Sequence, residues 1–227
     1  ILFFLISHIT YSQNHHVERL QFVNDSLWTI WHDESQPDTI RFSAIQRIAW
    51  YGYLGRYPDS AFLIAQIQYE AAEKKGNKYF MAEALNTQGA SLSDRGNFDK
   101  ALEYYNKALA VGSSKQIPPT LINIGNIHGR RGNLDEAINY MQKALTLSEE
   151  SKDTLKIAEY NSHIGTVYLR KGNPDKALEL TEYSLRLNKK MNASLGVAIS
   201  HHNLGNIYNN RGQSQKAIQS YLKALDY

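Results

Sequence analysis

The sequence predicts an all-α fold made of antiparallel helix hairpins, and two observations carry this prediction. A pair of glycines seven residues apart, followed by an alanine five residues later, recurs four times with spacings of 36, 40 and 40 residues. The segments after each pair carry apolar residues at i, i+3, i+4 and i+7, the pattern of a helix with one buried face. A period of this length is typical of stacked two-helix units. The first glycines are Gly89, Gly125, Gly165 and Gly205, the second Gly96, Gly132, Gly172 and Gly212, and the alanines Ala101, Ala137, Ala177 and Ala217.

Each unit is predicted to contain one helix on either side of a short turn. A cation in the last turn of a helix interacts favourably with the helix dipole, and a glycine after it adopts the left-handed conformation that ends the helix. An asparagine directly after that glycine is a good cap for the next helix, so we expect Asn97, Asn133 and Asn173 to be N-caps. The turns are Arg95-Gly96-Asn97, Arg131-Gly132-Asn133, Lys171-Gly172-Asn173 and Arg211-Gly212-Gln213.

The first glycine of each pair falls in the middle of a predicted helix, where glycine costs about 1 kcal/mol relative to alanine. Because every unit accepts this cost, we expect the two helices of a unit to approach each other closely there. The alanine of the second helix is the expected opposing surface. Tyr105, Met141 and Tyr221 are expected to fill the space that remains.

Composition excludes several classes of protein. The chain has 227 residues, of which 42% are hydrophobic and 11% aromatic, and this content is too high for an intrinsically disordered chain. Its 25 Lys and Arg against 22 Asp and Glu give a net charge of only +3, so direct nucleic-acid binding through a strong basic field is not expected. The absence of cysteine excludes disulfides, thiolate zinc sites and a cysteine nucleophile.

The N-terminus resembles part of a secretory signal peptide. The first nine residues are mostly apolar, too few to span a bilayer but of the length of a signal-peptide core. Thr10 and Ser12 are small residues at −3 and −1 of a cleavage site before Gln13. We therefore expect residues 1–12 to be a truncated signal peptide and the protein to be exported to a bacterial periplasm or cell envelope. The alternative is an apolar first helix of a cytoplasmic domain.

The remaining chain divides into three predicted parts. Residues 13–37 are expected to form a short helix followed by a polar linker. Residues 38–77 are expected to form a degenerate first repeat that caps the array, because Ala61 lies forty residues before Ala101. Residues 78–227 contain the four aligned units, and the last one is predicted to be incomplete because no helix stop signal follows it.

The degenerate repeat is expected to contain two helices, Thr39–Leu54 and Pro58–Lys75. Asp38 is the predicted cap of the first helix, and Gly76 is the predicted stop of the second. An apolar cluster is expected to cover the open end of the array. Its predicted members are Trp28, Trp31 and Trp50.

These residues resemble the tetratricopeptide repeat family, whose pattern is a large residue, Leu-Gly, Tyr, Ala, an aromatic residue and Ala. The resemblance covers about residues 78–227. It implies a right-handed α-solenoid whose first helices line a concave side, and it implies a binding role without catalysis. The last unit matches the pattern with Leu204, Gly205, Tyr208, Ala217, Tyr221 and Ala224.

The chain departs from the common family pattern in two ways. The third unit carries Thr181 and Ser184 where an aromatic residue and an alanine are expected, and the period exceeds the usual 34 residues. The long period resembles the variety found in kinesin light chains and in the N-terminal sensory regions of bacterial signalling proteins.

Polar residues on the first helices form the candidate binding site. Spacings of three and four place them on one face of each helix. Asparagine both donates and accepts hydrogen bonds, as a peptide bond requires, and arginine binds a carboxylate with two parallel bonds. The set would suit an extended peptide or protein segment with an acidic group or a free C-terminus. In the alternative interpretation, the asparagines bond between neighbouring repeats and the arginines are solvated. The candidates are Asn123, Asn126, Arg130, His163, Arg170, His202, Asn203, Asn206 and Asn210.

Neither catalysis nor a cofactor is predicted. His201 and His202 are adjacent, so on a helix they point about 100° apart and do not chelate one metal ion together. His163 and His202 are expected on equivalent faces of neighbouring units, but no third ligand accompanies them. The sequence contains neither a phosphate-binding loop nor a GxSxG motif.

The resemblance to sensory regions gives a second functional hypothesis. In it, the chain is the input region of a larger membrane signalling protein, and an adenylate or guanylate cyclase, a histidine kinase or a DNA-binding regulator follows Tyr227. A membrane would then be reached only through that later segment. Independently, the open C-terminal end of the array is expected to expose apolar surface, so we expect this piece alone to self-associate.

Overall fold

The computed structural model describes residues 25–227, and all regular elements in this part of the chain are helical. The chain divides into two compact units, 1–116 and 117–227. The predicted signal peptide and residues 13–24 of the predicted N-terminal helix lie outside the described residues. Between residues 25 and 227, none of the helices combines the length and the apolar character needed to cross a bilayer.

The described part of the first unit begins with helix α1 at 25–32 and continues through two helix hairpins. Helix α2 passes directly into a wider π-helical segment, and together they pack against α3; helices α4 and α5 form the next hairpin. The bounds are α2 Asp38–Arg47, the π-helical segment Ile48–Leu54, α3 Pro58–Lys74, α4 Lys78–Asp94 and α5 Phe98–Val111.

The second unit consists of three helix hairpins, α6 with α7, α8 with α9 and α10 with α11. The second helix of a hairpin also packs against the first helix of the next hairpin. The predicted all-α architecture of antiparallel hairpins is confirmed. The bounds are α6 Ile117–Arg130, α7 Leu134–Glu150, α8 Thr154–Arg170, α9 Pro174–Lys190, α10 Ser194–Asn210 and α11 Ser214–Leu225.

The turns between paired helices have the predicted glycine conformation. Gly96, Gly132, Gly172 and Gly212 have φ between 71° and 85°, the left-handed region that glycine adopts without strain. The caps follow the prediction in part. Asn97 and Asn173 accept hydrogen bonds from the backbone N–H of the third residue of the next helix, at 3.4 and 3.0 Å.

Asn133 occupies the predicted N-cap position of α7, but its side chain makes no capping hydrogen bond. Its backbone angles, φ −79° and ψ 69°, are close to those of Asn97, so the backbone conformation at the cap is the same in both. Asn77 and Asp153, which the turn pattern does not include, cap α4 and α8 instead. Both residues lie in the connections between repeats, which the glycine-turn pattern does not cover.

Close approach of the two helices of a repeat is confirmed at the mid-helix glycines. A methyl group at Gly89 would lie 2.6 Å from Cε1 of Tyr105, and one at Gly125 would lie 2.9 Å from Cγ of Met141. A methyl group at Gly205 would overlap the ring of Tyr221. The large residue of the second helix therefore lies directly over the glycine.

Aspartates at the start of the second helices join successive repeats. In the first unit Arg95 binds Asp59 at 2.7 Å, and in the second unit Arg211 binds Asp175 at 2.5 Å. Each cation comes from the turn of the following repeat, 36 residues later. Exposed ion pairs contribute at most about 1 kcal/mol to stability. The main effect of these pairs is therefore on the orientation of one repeat relative to the next.

The N-terminal helices differ from the prediction in three respects. Pro37, not Asp38, occupies the cap position, and Asp38 lies in the first turn, where it pairs with Lys75 at 3.2 Å. The predicted helix to Leu54 changes to π-helical geometry at Ile48. Trp28 and Trp31 pack against a buried cluster, but Trp50 is 36% exposed and lies outside it. The cluster consists of Ile45, Ile48, Ala49 and Ile64.

Helix α11 has an exposed apolar stripe. Ile218, Leu222 and Leu225, spaced i, i+4 and i+7, are 58%, 58% and 82% exposed. The surface on which the expected self-association depends is therefore present. Self-association itself stays a prediction.

Tyr160 gives a stability prediction. Its side chain is 1% exposed, and its hydroxyl has no hydrogen-bond partner among the described residues. Burial raises the pKa of this hydroxyl, so it stays protonated and unpaired. Tyr160→Phe removes the unpaired group and should raise the free energy of unfolding by about 1 kcal/mol in urea titrations. Tyr221→Phe, which deletes a hydroxyl bonded to Asn206, is the matched control and should lower it.

Candidate peptide-binding surface

The first helices of the second unit, α6, α8 and α10, present their polar faces side by side. Arg170 on α8 donates a hydrogen bond to the carbonyl oxygen of Gly129 on α6, at 2.8 Å. Asn203 on α10 donates to Oγ of Ser162 on α8, at 2.9 Å. These two bonds, each spanning 41 positions, hold equivalent faces of consecutive first helices next to each other.

All the predicted site residues therefore lie on one set of neighbouring helices, but they differ in exposure and in bonding. Asn203 forms a hydrogen bond between repeats, as the alternative interpretation expects for the asparagines. Arg170 also bonds between repeats, although that interpretation expects the arginines to be solvated. The exposed members are Asn126, Arg130, Arg170, His202 and Asn210, and the half-buried members are Asn123, His163, Asn203 and Asn206.

Tyr221 on α11 contacts two of the predicted site residues, Asn206 and His202. Its hydroxyl donates to Oδ1 of Asn206 at 2.8 Å, and its ring centroid lies 5.6 Å from that of His202. The same ring lies over Gly205. The close helix packing of the repeat thus positions Asn206, whose amide nitrogen remains as a donor.

The structure adds a charged cluster on α8 that the sequence argument missed. Nε2 of His163 lies 3.9 Å from Oε1 of Glu159, and Nζ of Lys156 lies 2.8 Å from its Oε2. The His163 imidazole, and then the Lys156 ammonium, lower the pKa of Glu159 from 4.5 to about 2. Glu159 is one helical turn before His163, and this spacing was the available signal.

Glu159 makes the free energy of unfolding depend on pH in the acidic range. Because its pKa is lowered in the folded state, its contribution is present above pH 4.5 and is lost as the pH falls toward 2. Glu159→Gln should lower the free energy of unfolding by about 0.5 kcal/mol at pH 7, since the carboxylate is 46% exposed and screened. Urea titrations should show a much smaller difference from the parent chain at pH 2.

The matched control is Glu179→Gln, which deletes a Lys–Glu pair of the same spacing without a histidine. A Glu159→Gln effect of equal size at both pH values would contradict the assignment.

Apolar side chains lie at the beginnings of the same helices. Leu155 on α8 and Leu195 on α10, forty positions apart, are 57% and 74% exposed. Ile199 is 47% exposed and lies one turn after Leu195. The face of α10 therefore changes from apolar at its N-terminal end to hydrogen-bonding at its C-terminal end.

Family models of the tetratricopeptide repeat match residues 82–112, 116–190 and 198–227, which together make up more than half of the chain. The chain belongs to the tetratricopeptide repeat family. Tetratricopeptide repeats generally mediate protein–protein interactions, so a scaffold role follows from membership. A comparison with curated proteins found no match.

Several solved structures are similar in fold to this chain. BtubC (BKLC) from P. vanneervenii matches with a TM-score of 0.65 and 17% identity, covering 75% of this chain and 73% of that one. A putative kinesin light chain of nearly identical TPR-like repeats from Podosopora anserina matches with a TM-score of 0.60 and 14% identity, covering 82% and 91%. MamA matches with a TM-score of 0.50 and 21% identity, covering 74% and 87%. At these identities the likeness concerns the fold alone.

Proposed function

We propose that this tetratricopeptide repeat protein binds an extended peptide or protein segment on the face formed by α6, α8 and α10, without catalysing a reaction. The observation that carries the proposal is the alignment of polar side chains on three consecutive first helices. Hydrogen bonds between these helices hold their polar faces next to each other at equivalent positions. A surface of fixed amides suits a peptide backbone because each amide matches both its donors and its acceptors.

The charges on this face suggest the chemistry of the ligand. Arg130 and Arg170 lie at the C-terminal ends of their helices, where a ligand carboxylate would meet two guanidinium groups. Glu159 stays ionised toward the other end of α8. Leu155 and Leu195 offer apolar contact there. The ligand we propose has an acidic group or a free C-terminus at one end and apolar side chains at the other.

Fluorescence anisotropy with labelled peptides tests the proposal. A pool of eight-residue peptides with aliphatic and acidic residues is compared with the same pool carrying amidated C-termini and with a pool whose acidic residues are replaced by lysine. We expect the acidic, free-terminus pool to bind at least tenfold more tightly than the lysine pool. Equal binding of all three pools, or binding to none of them, would refute the proposed chemistry.

A further inference from the structure

Helix α9 lacks the large apolar residue and the alanine that its counterparts use for packing. Its Thr181 and Ser184 are both 0% exposed, so two small hydroxyl side chains are buried where the other repeats have a tyrosine or methionine and an alanine. Oγ1 of Thr181 has no hydrogen-bond partner in the described part of the chain. The counterparts are Tyr105 and Ala108 on α5, Met141 and Ala144 on α7, and Tyr221 and Ala224 on α11.

Between α9 and α10 the Ser184 hydroxyl belongs to a buried polar seam, which consists of Ser184, Asn188 and Ser200. Nδ2 of Asn188 donates to both serine hydroxyls at 3.3 Å, and the two hydroxyls lie 3.4 Å apart. The hydroxyl of Ser200 also donates to the carbonyl oxygen of Gly196, at 2.7 Å. The hydrogen bonds that join the three seam residues to one another are thus long, and all three side chains are polar.

The preceding junction, between α7 and α8, is built differently at the equivalent positions, forty residues earlier. Ala144, Ser148 and Tyr160 are all buried there, and the aromatic ring of Tyr160 fills the junction. Burying an aromatic ring stabilises an interface far more than exchanging hydrogen bonds with water for hydrogen bonds among serine and asparagine. The two junctions of the second unit should therefore differ strongly in stability.

We infer that the polar seam is the joint at which the second unit opens, with α10 and α11 separating from α6–α9 as one block. In repeat arrays the stability is a sum of repeat and interface contributions, so opening occurs at the weakest interface. The block that separates carries part of the proposed binding face, including His202 and Asn206. Opening would therefore divide that face between α8 and α10.

Hydrogen exchange of the 227-residue chain, followed by mass spectrometry, tests the joint. We expect the amides of α10 and α11 to exchange together, at least tenfold faster than those of α6–α8, with a step between α9 and α10. A gradual rise from α10 to α11 would indicate fraying of the last helix instead, and equal protection of α8 and α10 would also overturn the inference.

Gly196 provides a variant that separates the seam from helix propensity. A methyl group at this position would overlap the amide of Asn188 and push it away from the two serines. Although alanine favours a helix over glycine, we expect Gly196→Ala to speed exchange of α10 and α11 at least threefold. In an Asn188→Ser background, which copies Ser148 of α7, the same change should slow exchange. Slower exchange in both backgrounds would overturn the role of Asn188.

The reciprocal variant strengthens the joint. A triple variant copies the α7–α8 junction with Ser184→Ala, Asn188→Ser and Ser200→Tyr. We expect it to slow hydrogen exchange of α10 and α11 at least tenfold and to abolish the step in exchange rate between α9 and α10. Unchanged exchange in a folded triple variant would overturn the inference. If this variant does not fold, the Gly196 pair of experiments still decides it.

Discussion

Gly205→Leu should lower the free energy of unfolding by about 3 kcal/mol, the upper end of the usual cost of overpacking a core. Even one methyl group at this position would overlap the Tyr221 ring, which packs α11 on α10. A leucine therefore displaces the ring, and the hydrogen bond from Tyr221 to Asn206 is lost with it. Urea-induced unfolding followed by circular dichroism measures the change.

Gly165→Ala is the matched control, because its methyl group would meet no large ring: it would lie 3.0 Å from Oγ1 of Thr181, 3.3 Å from the backbone oxygen of Ala177 and 3.6 Å from Cβ of Leu180. Its packing cost should be offset by the gain of about 1 kcal/mol in helix propensity. If both variants are equally stable, the close packing of glycine under the large second-helix residue does not hold the repeats together.

Asn126→Ala combined with Arg130→Ala should weaken binding of the acidic peptide pool at least tenfold, equivalent to about 1.4 kcal/mol of binding free energy. Asn126 and Arg130 are exposed at equivalent positions to Asn206 and Asn210 on the polar face of α6. Removing an amide and a guanidinium deletes hydrogen-bonding groups for the peptide backbone and for its carboxylate. Anisotropy titrations of the parent chain and the variant give the ratio.

The control for this pair is Asn139→Ala with Lys143→Ala, two exposed residues on the second helix α7. Adding Asn203→Ala and Asn206→Ala to the binding variant is informative only together with a stability measurement, because both side chains also bond within the fold. Unchanged binding by a folded Asn126–Arg130 variant would refute the assignment of the face.

The repeat architecture was predictable from the sequence because its signals are local and occur several times. The glycine after Arg95 and the glycine after Arg131 end helices through conformations that depend on nearby residues only. The change from α-helix to π-helix at Ile48 was not predictable, because the same residues fit both geometries. Packing of Ile48 and Ala49 against Trp28 and Trp31 accompanies the wider form.

The candidate site was only partly predictable. The periodicity placed Asn126, Asn206 and their equivalents on the first helices, as the structure has them. It did not reveal that Glu159 pairs with His163, or that Arg170 bonds to Gly129 of the preceding repeat. The ligand, export of the protein and a sensory role stay predictions.

The sequence alone determined the number of aligned repeats, their register and the close pairing of their helices, because small residues at fixed spacings allow the paired helices to approach closely at the same place in every repeat. The tertiary structure decided which polar side chains form hydrogen bonds within the fold. Asn206 is held by Tyr221 fifteen positions later, and Asn203 by Ser162 forty-one positions earlier. Such bonds depend on how each helix is rotated against its neighbour, and that rotation is set by the packing of whole helices.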